Sequence, residues 1–222
     1  MRFLDTPAAQ KVIDRMNAWI YAHSDDLVTP DQTLSASRRP SIQLLMDNYS
    51  TIEREVMAAL PAATPIQGDM FFGPDITSDR KWYKIYLKWY SKPNERALKL
   101  FPETLDLIER CPDVHLAMVS ILRPGARIKP HYGPWAGSIR VHICIRAPDS
   151  ADCHMKVAGH VFQWKTGEML AFDDTYYHSV VNLTDMNRII LFLDVERKMK
   201  SAWAQAIVRF LNRTVARLTT RD

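Results

Sequence analysis

A chain of 222 residues, 47% hydrophobic and 24% charged, is long enough for one domain with a sizeable core and excludes a disordered or fibrous class. Its formal net charge of +4 is too mild to define a partner, so the distribution of charge matters more than the total. No run approaches the roughly 18 apolar residues of a membrane span. The N-terminus lacks signal-peptide order, and Cys111, Cys144 and Cys153 show no CxxC spacing, so buried, reduced thiols in a cytoplasmic protein are expected.

In chain order, residues 6–23 read as a helix: Thr6 can cap it, Pro7 suits its first turn, and Val12, Met16 and Ile20 recur at helical spacing. Residues 24–40, rich in Asp, Ser, Thr, Pro and Arg without periodicity, read as a mobile loop. A second helix spans 41–60, and Gly73-Pro74 centres a turn over 71–75. Residues 81–90 alternate aromatic or apolar side chains with lysine, as a half-buried strand does. Interleaved Lys and aromatics also occur in nucleic-acid stacking platforms, but the other basic and glycine features of those modules are missing, so no nucleic-acid partner is expected. Residues 93–110 make a further helix, with Pro93 in its first turn and a break at Phe101-Pro102.

Eight short strands follow, at 114–122, 127–131, 138–145, 153–157, 160–164, 168–172, 179–182 and 187–195. That spacing predicts a mainly β fold with flanking helices, a sandwich or a cupin-like double-sheet jelly roll. The chain divides into a helical N-terminal region with one edge strand (1–112), the jelly-roll core (113–197) and a basic amphipathic C-terminal helix (198–222). In that helix Trp203, Ile207, Phe210, Leu211, Thr214 and Leu218 share one face, while Arg209, Arg213 and Arg217 form a stripe on another. Such a helix either lies in the headgroup region of an anionic membrane or packs on the jelly roll with its basic face solvated.

The chemistry centres on His131, in Pro-His-Tyr-Gly-Pro, and His178, in Phe-Asp-Asp-Thr-Tyr-Tyr-His. A single histidine in such a place is by default a satisfied surface or core residue. Two neutral imidazoles brought together across a jelly roll make a metal site, although imidazole suits iron, copper, nickel and zinc alike. Arg188 follows on a strand, and a buried Arg there needs an anion, which it can take as a bidentate carboxylate. Non-haem Fe(II) with a 2-oxoacid fits this set best. Arg140 and His142, two apart, share one face of their strand.

Further motifs surround these residues: Pro-Gly-Ala at 124–126, Ala-Gly-Ser-Ile-Arg at 136–140, Phe-Asp-Asp at 172–174, Asn-Arg-Ile-Ile-Leu-Phe at 187–192, Asp-Val-Glu-Arg at 194–197 and Trp-Ala-Gln-Ala at 203–206. Taken in order, over about residues 117–206, they resemble the aspartyl/asparaginyl β-hydroxylase family of Fe(II)/2-oxoglutarate dioxygenases. Within it the sequence is most similar to the bacterial lipid A and ornithine-lipid fatty-acyl 2-hydroxylases. The resemblance implies Fe(II) and 2-oxoglutarate as cofactors, O2 as co-substrate, and hydroxylation of a C–H coupled to decarboxylation of 2-oxoglutarate to succinate.

By the same resemblance His131 and His178 ligate the metal, Arg188 and Ser120 take the distal carboxylate of 2-oxoglutarate, and His142 meets its other end. Arg140 then approaches the substrate, or is merely a solvated sheet residue, and Trp135 shapes the mouth. Asp174 is either a catalytic carboxylate on metal-bound water or a turn residue. His115, His154 and His160 are structural. The facial carboxylate expected two residues after the first histidine is replaced by Gly133. The lipid hydroxylases commonly have Asp there, whereas animal peptidyl aspartyl hydroxylases have Gly and work with two histidines. Halogenases share the Gly but lack the surrounding motifs. The implied activity is 2-hydroxylation of a fatty-acyl chain of lipid A or an aminolipid, at the inner face of the cytoplasmic membrane. Hydroxylation of aspartyl or asparaginyl side chains in a peptide or small metabolite is the alternative, and an inactive jelly-roll binding protein is a third.

Overall fold

The structure, a computed structural model, describes residues 7–61, 66–67, 81–90 and 92–219, and the side chains of 10–61, 81–90 and 92–214 among them. The expected cap at Thr6, the turn at 71–75 and the side chains of Arg217 and Leu218 lie outside the described residues. The elements in chain order are α1 (Pro7–His23), α2 (Thr33–Ser37), α3 (Pro40–Asp47), α4 (Tyr49–Ala59), β1 (Ile66–Gln67), β2 (Trp82–Trp89), β3 (Lys92–Pro93), α5 (Glu95–Leu100) and α6 (Pro102–Glu109). There follow β4 (Val114–Leu122), β5 (Ala126–His131), β6 (Ser138–Arg146), β7 (Cys153–Val157), β8 (His160–Gln163), β9 (Met169–Phe172), β10 (His178–Asn182), β11 (Arg188–Glu196) and α7 (Ala202–Thr219). All eight strands expected between 114 and 195 are present, with ends that agree to within one residue.

They form a double-stranded β-helix. One sheet runs β1-β2-β4-β11-β6-β9 with β3 beside β2, and the facing sheet runs β5-β10-β7-β8, every pair antiparallel. The central strands β4 and β11 are buried at every residue, because each face is covered by a different layer. Side-chain alternation sends Val119, Ile121, Ile143, Leu191 and Leu193 toward Ile42, Leu45, Ile52, Val56, Leu105 and Ile108 of the helices. The intervening residues Met118, Leu122, Ile190 and Phe192 meet Ile128, Met155, Val157 and Val180 of the smaller sheet. The candidate site lies in this second interior.

Three local expectations change. Residues 24–40 are fixed: Ser24 bridges Met199, Asp31 bridges Phe172, and α2 forms between them and α3. The polar residues that suggested a mobile loop are the fastening, since Asp26 accepts from Ser35, Arg39 and the backbone N–H of Lys198 at 2.6 to 2.8 Å. The helix expected over 41–60 divides at Asn48, whose side chain donates back to the Leu44 carbonyl. Pro93 pairs in β3 instead of opening a helix, and Asn94 caps α5 by accepting from the N–H groups of Arg96 and Ala97.

Candidate active site

His131 ends β5 and His178 begins β10, and the two are cross-strand partners in the smaller sheet. A register shift between His178 and Val180 turns the strand end, and the two rings meet with centroids 4.2 Å apart. Each Nδ1 donates to a carbonyl two residues earlier, Lys129 for His131 and Tyr176 for His178, both at 2.8 Å. That fixes the tautomer that carries its lone pair on Nε2, the form a metal ligand requires. Burial, helped by the neighbouring His131, pulls the pKa of His178 down to about 3, so the ring is neutral at physiological pH. Among the described residues no set of three His, Cys, Asp or Glu side chains is placed to hold an ion, so the metal would rest on two histidines.

The histidines open onto a cleft of about 420 Å³, counted to its open mouth, that is walled by Trp82, Ile128, Met155, Phe172, Val180 and Phe192. Ser120, His142, Arg140 and Arg188 reach the same cleft. Arg188 is buried, with its guanidinium over the Trp164 ring at 4.7 Å and a long hydrogen bond of 3.4 Å to Ser120 Oγ. Its Nε has no partner, and no described carboxylate pairs with it. Burial alone pulls its pKa down to about 10, the signature of a cation awaiting a counter-ion. His142 Nδ1 accepts from Trp164 Nε1 at 3.2 Å, which leaves its Nε2–H buried without an acceptor. Burial, then Arg188 and Arg140, hold this ring well below the usual histidine range. A guanidinium with no carboxylate partner and an orphaned Nε–H, an orphaned imidazole N–H and a serine hydroxyl in an apolar cleft have the donor chemistry to take a small carboxylate.

Arg140 is not a solvated sheet residue. It is buried, faces its cross-strand partner Asp194 through Nε at 3.0 Å and Nη2 at 3.3 Å, and reaches Asp174 Oδ2 through Nη1 at 2.9 Å. Burial pushes the Asp174 carboxyl up to about 7 against the pull of Arg140, with Asp194 and Asp173 adding to the rise. Asp174 does not wall the cleft itself and meets it through Arg140. A Cβ at position 133 would run into the Asp174 carboxylate and lie 2.8 Å from the Asp174 carbonyl, which already accepts from the Gly133 N–H at 2.7 Å. Glycine at 133 is therefore a requirement of space, and the carboxylate occupying that space comes from the other histidine loop.

Trp135 is not brought to the mouth. It packs with Ile20, Ala136, Met199, Ala204 and Val208, and its Nε1 donates to Asn212 Oδ1 at 2.7 Å. The other four histidines lie outside the cleft: His23 bonds the Trp19 carbonyl at 2.8 Å, His115 pairs with buried Glu196 at 3.0 Å, His154 bonds the Ala151 carbonyl, and His160 is exposed.

Two α1 residues with no motif around them, and Arg197 of the Asp-Val-Glu-Arg motif, hold the histidine loops. Asn17 on α1 donates to the Pro134 carbonyl at 3.0 Å and accepts from the Ala136 N–H at 2.9 Å, just beyond His131. Tyr21, one turn on, hydrogen-bonds Thr175 and donates to Asp173 at 3.1 Å, just ahead of His178. Buried Arg197 closes the frame, through Nη2 to Asp173 at 2.5 Å and Nε to the Ala136 carbonyl at 2.6 Å.

The profile described as Aspartyl/Asparaginyl beta-hydroxylase matches residues 46–198, more than half of the sequence. The chain belongs to this hydroxylase family. The ornithine lipid ester-linked acyl 2-hydroxylase of Rhizobium tropici is 33% identical over 138 residues, which are 62% of this chain and 47% of that protein. The human aspartyl/asparaginyl beta-hydroxylase is 28% identical over 161 residues, 69% of this chain and 21% of that protein. The chain thus spans about half or less of the length of these relatives. Among solved structures, the cupin domain of Schizosaccharomyces pombe Cnp3 covers 62% of this chain and 71% of its own at 12% identity and a TM-score of 0.39. The fold assignment rests on the strand order instead. Among the described residues no helix is long and apolar enough to cross a membrane.

Proposed function

We propose that this family member is an Fe(II)- and 2-oxoglutarate-dependent dioxygenase that hydroxylates an unactivated C–H, the 2-position of a fatty-acyl chain of lipid A or an aminolipid. The observation that carries the cofactor reading is one cleft lined both by two histidines whose rings meet and by a buried Arg188 that no described carboxylate pairs with. His131 and His178 would hold the iron through their Nε2 atoms. Arg188 and Ser120 would take the distal carboxylate of 2-oxoglutarate, and the Nε2–H of His142 would donate to its other end. When bound, this pair with O2 supplies the oxidising chemistry, with succinate and CO2 as co-products.

The chain's own work is placement. The apolar walls exclude water and suit an alkyl chain, and Arg140, held rigid by Asp194 and Asp174, faces the polar end of a substrate. The Rhizobium relative, whose name gives an acyl 2-hydroxylase, supports the lipid reading. A second reading, β-hydroxylation of an aspartyl or asparaginyl side chain, is favoured by Gly133, which this chain shares with the peptidyl branch, and by the human relative. The enzyme would act from the cytoplasm.

Anaerobic titration with Fe(II) and 2-oxoglutarate, followed by succinate release on admitting O2, tests the chemistry. Wild type should bind both, His131→Ala should lose iron, and Arg188→Ala should lose 2-oxoglutarate. Wild type that binds neither is a jelly-roll binding protein. Product analysis with an acyl lipid and with an Asp/Asn peptide then separates the two substrate readings.

A further inference from the structure

Helix α7 presents one face to the protein and a more hydrophobic one to solvent. The face that packs is built from small residues four apart, Ala204, Val208 and Asn212, lying against Ile20, Ala136 and Met199. The large side chains stay outside: Trp203 is 56% exposed, Ile207 40% and Phe210 68%. At about 100° per residue these three fall within an arc of about 60°. Trp203 continues the patch sideways onto α1, edge-on to His23 and 5.8 Å from Trp19.

Within α7 the charge has one sign, while Asp25, paired with Lys198, stands near Lys200 at its start. Arg213 is exposed beside the stripe, Lys200 stands at its start, and Arg209 pairs with Glu196 while half of its side chain faces solvent. The eighteen residues of α7 contain no Asp or Glu. An apolar stripe on a helix whose own charges are all cationic fits the boundary between acyl chains and acidic headgroups. A second copy docking through the same stripe would bring arginines against arginines.

We infer that the outward face of α7, Trp203, Ile207 and Phe210 with Arg213 and Lys200, is a docking surface for an anionic lipid bilayer. The inference deepens the acyl-chain reading and rests on it for its purpose, though not for its physics. The same helix is tied to the candidate site: Asn212 accepts from Trp135 Nε1 at 2.7 Å and donates to the Gly137 carbonyl at 3.3 Å, in the loop that follows His131. A bilayer seated on α7 is thereby held in register with the frame of the cleft.

The test is flotation of the full chain with vesicles of phosphatidylcholine alone and with about one third phosphatidylglycerol. Wild type should float with the anionic vesicles, weakly with neutral ones, and less as salt rises. The double variant Ile207→Ser/Phe210→Ser and the single Arg213→Glu should each bind about tenfold or more weaker. Both should keep the wild-type melting temperature and iron-dependent succinate release, since these side chains are exposed. Wild type that stays with the aqueous phase, or variants that float like wild type, would overturn the inference. So would a dimer in light scattering that the double variant abolishes, which would make the stripe a self-association surface. Succinate release without vesicle binding removes only the docking surface; vesicle binding without succinate release removes only the dioxygenase reading.

Discussion

The two faces of the larger sheet are built by the same strands and obey opposite rules. Toward the helices, Ala117, Val119, Ile121, Ile139, Val141, Ile143, Ile189, Leu191 and Leu193 form an apolar layer. One residue along in each strand, the other face carries Ser120, Arg140, His142, Arg188 and Asp194, all buried, with one polar atom left without a partner on each of His142 and Arg188. The first parity is apolar throughout, whereas on the second the polar groups share the interior with Met118, Leu122, Ile190 and Phe192, whose burial helps to offset their desolvation.

Arg188→Met against Leu191→Ala is the sharpest way to break this comparison. Leu191 has no exposed surface, and truncating it should cost about 2 to 5 kcal/mol while leaving 2-oxoglutarate affinity near wild type. Replacing the uncompensated Arg188 with a flexible unbranched apolar chain should leave the melting temperature equal or higher and abolish 2-oxoglutarate binding. A fall in stability on Arg188→Met would mean that the cation already has a compensating partner. Position 133 comes next. Gly133→Ala should displace Asp174 from Arg140, and Gly133→Asp, although it restores the residue of a facial triad, should lower succinate release rather than raise it. Tighter iron binding by Gly133→Asp with activity retained would refute the space argument.

The functional face should also set the response to acid. His178 has a folded pKa of about 3, below its ordinary 6.5. Below that ordinary value the unfolded chain takes up a proton that the folded site refuses, so stability is lost as pH falls from 6.5 toward 3. The metal-free His178→Gln variant should show a shallower fall in melting temperature over that window than wild type.

Most of the fold and much of the site are written locally, and what was missed is long-range. Strand positions follow from alternation between turn residues, and six of the eight named site residues share the cleft because parity along a strand is a local property. Trp135, placed at the mouth by the family resemblance, instead serves Asn212, 77 residues away. The polar stretch 24–40 looked unstructured because its partners, Lys198 and Ala171, are distant. In α7 the pattern named the apolar face but not the buried one; Ala204 and Val208 pack because they let the helix approach closely. Asn17 and Tyr21 carry no signal, since a tyrosine on an amphipathic helix reads as ordinary packing.

Tyr21 gives the smallest and most specific effect. Its hydroxyl ties Thr175 and Asp173, and through them the turn that leads to His178, while Asn17 one turn earlier ties the stretch after His131. Helix α1 therefore spans both loops whose histidines would share the proposed metal, although it lies outside the family match at residues 46–198. Tyr21→Phe removes the hydroxyl but keeps the ring near Arg197, so the fold should lose only about 1 kcal/mol. A ligand supported from behind typically loses about 10- to 100-fold in metal affinity when that support is removed. Iron affinity by anaerobic titration should fall in Tyr21→Phe, with 2-oxoglutarate affinity at Arg188 unchanged, and Asn17→Ala should act in the same direction. Equal losses at both ligands would mean that α1 merely stabilises the fold; loss of iron alone would make it a brace that sets the spacing between His131 and His178.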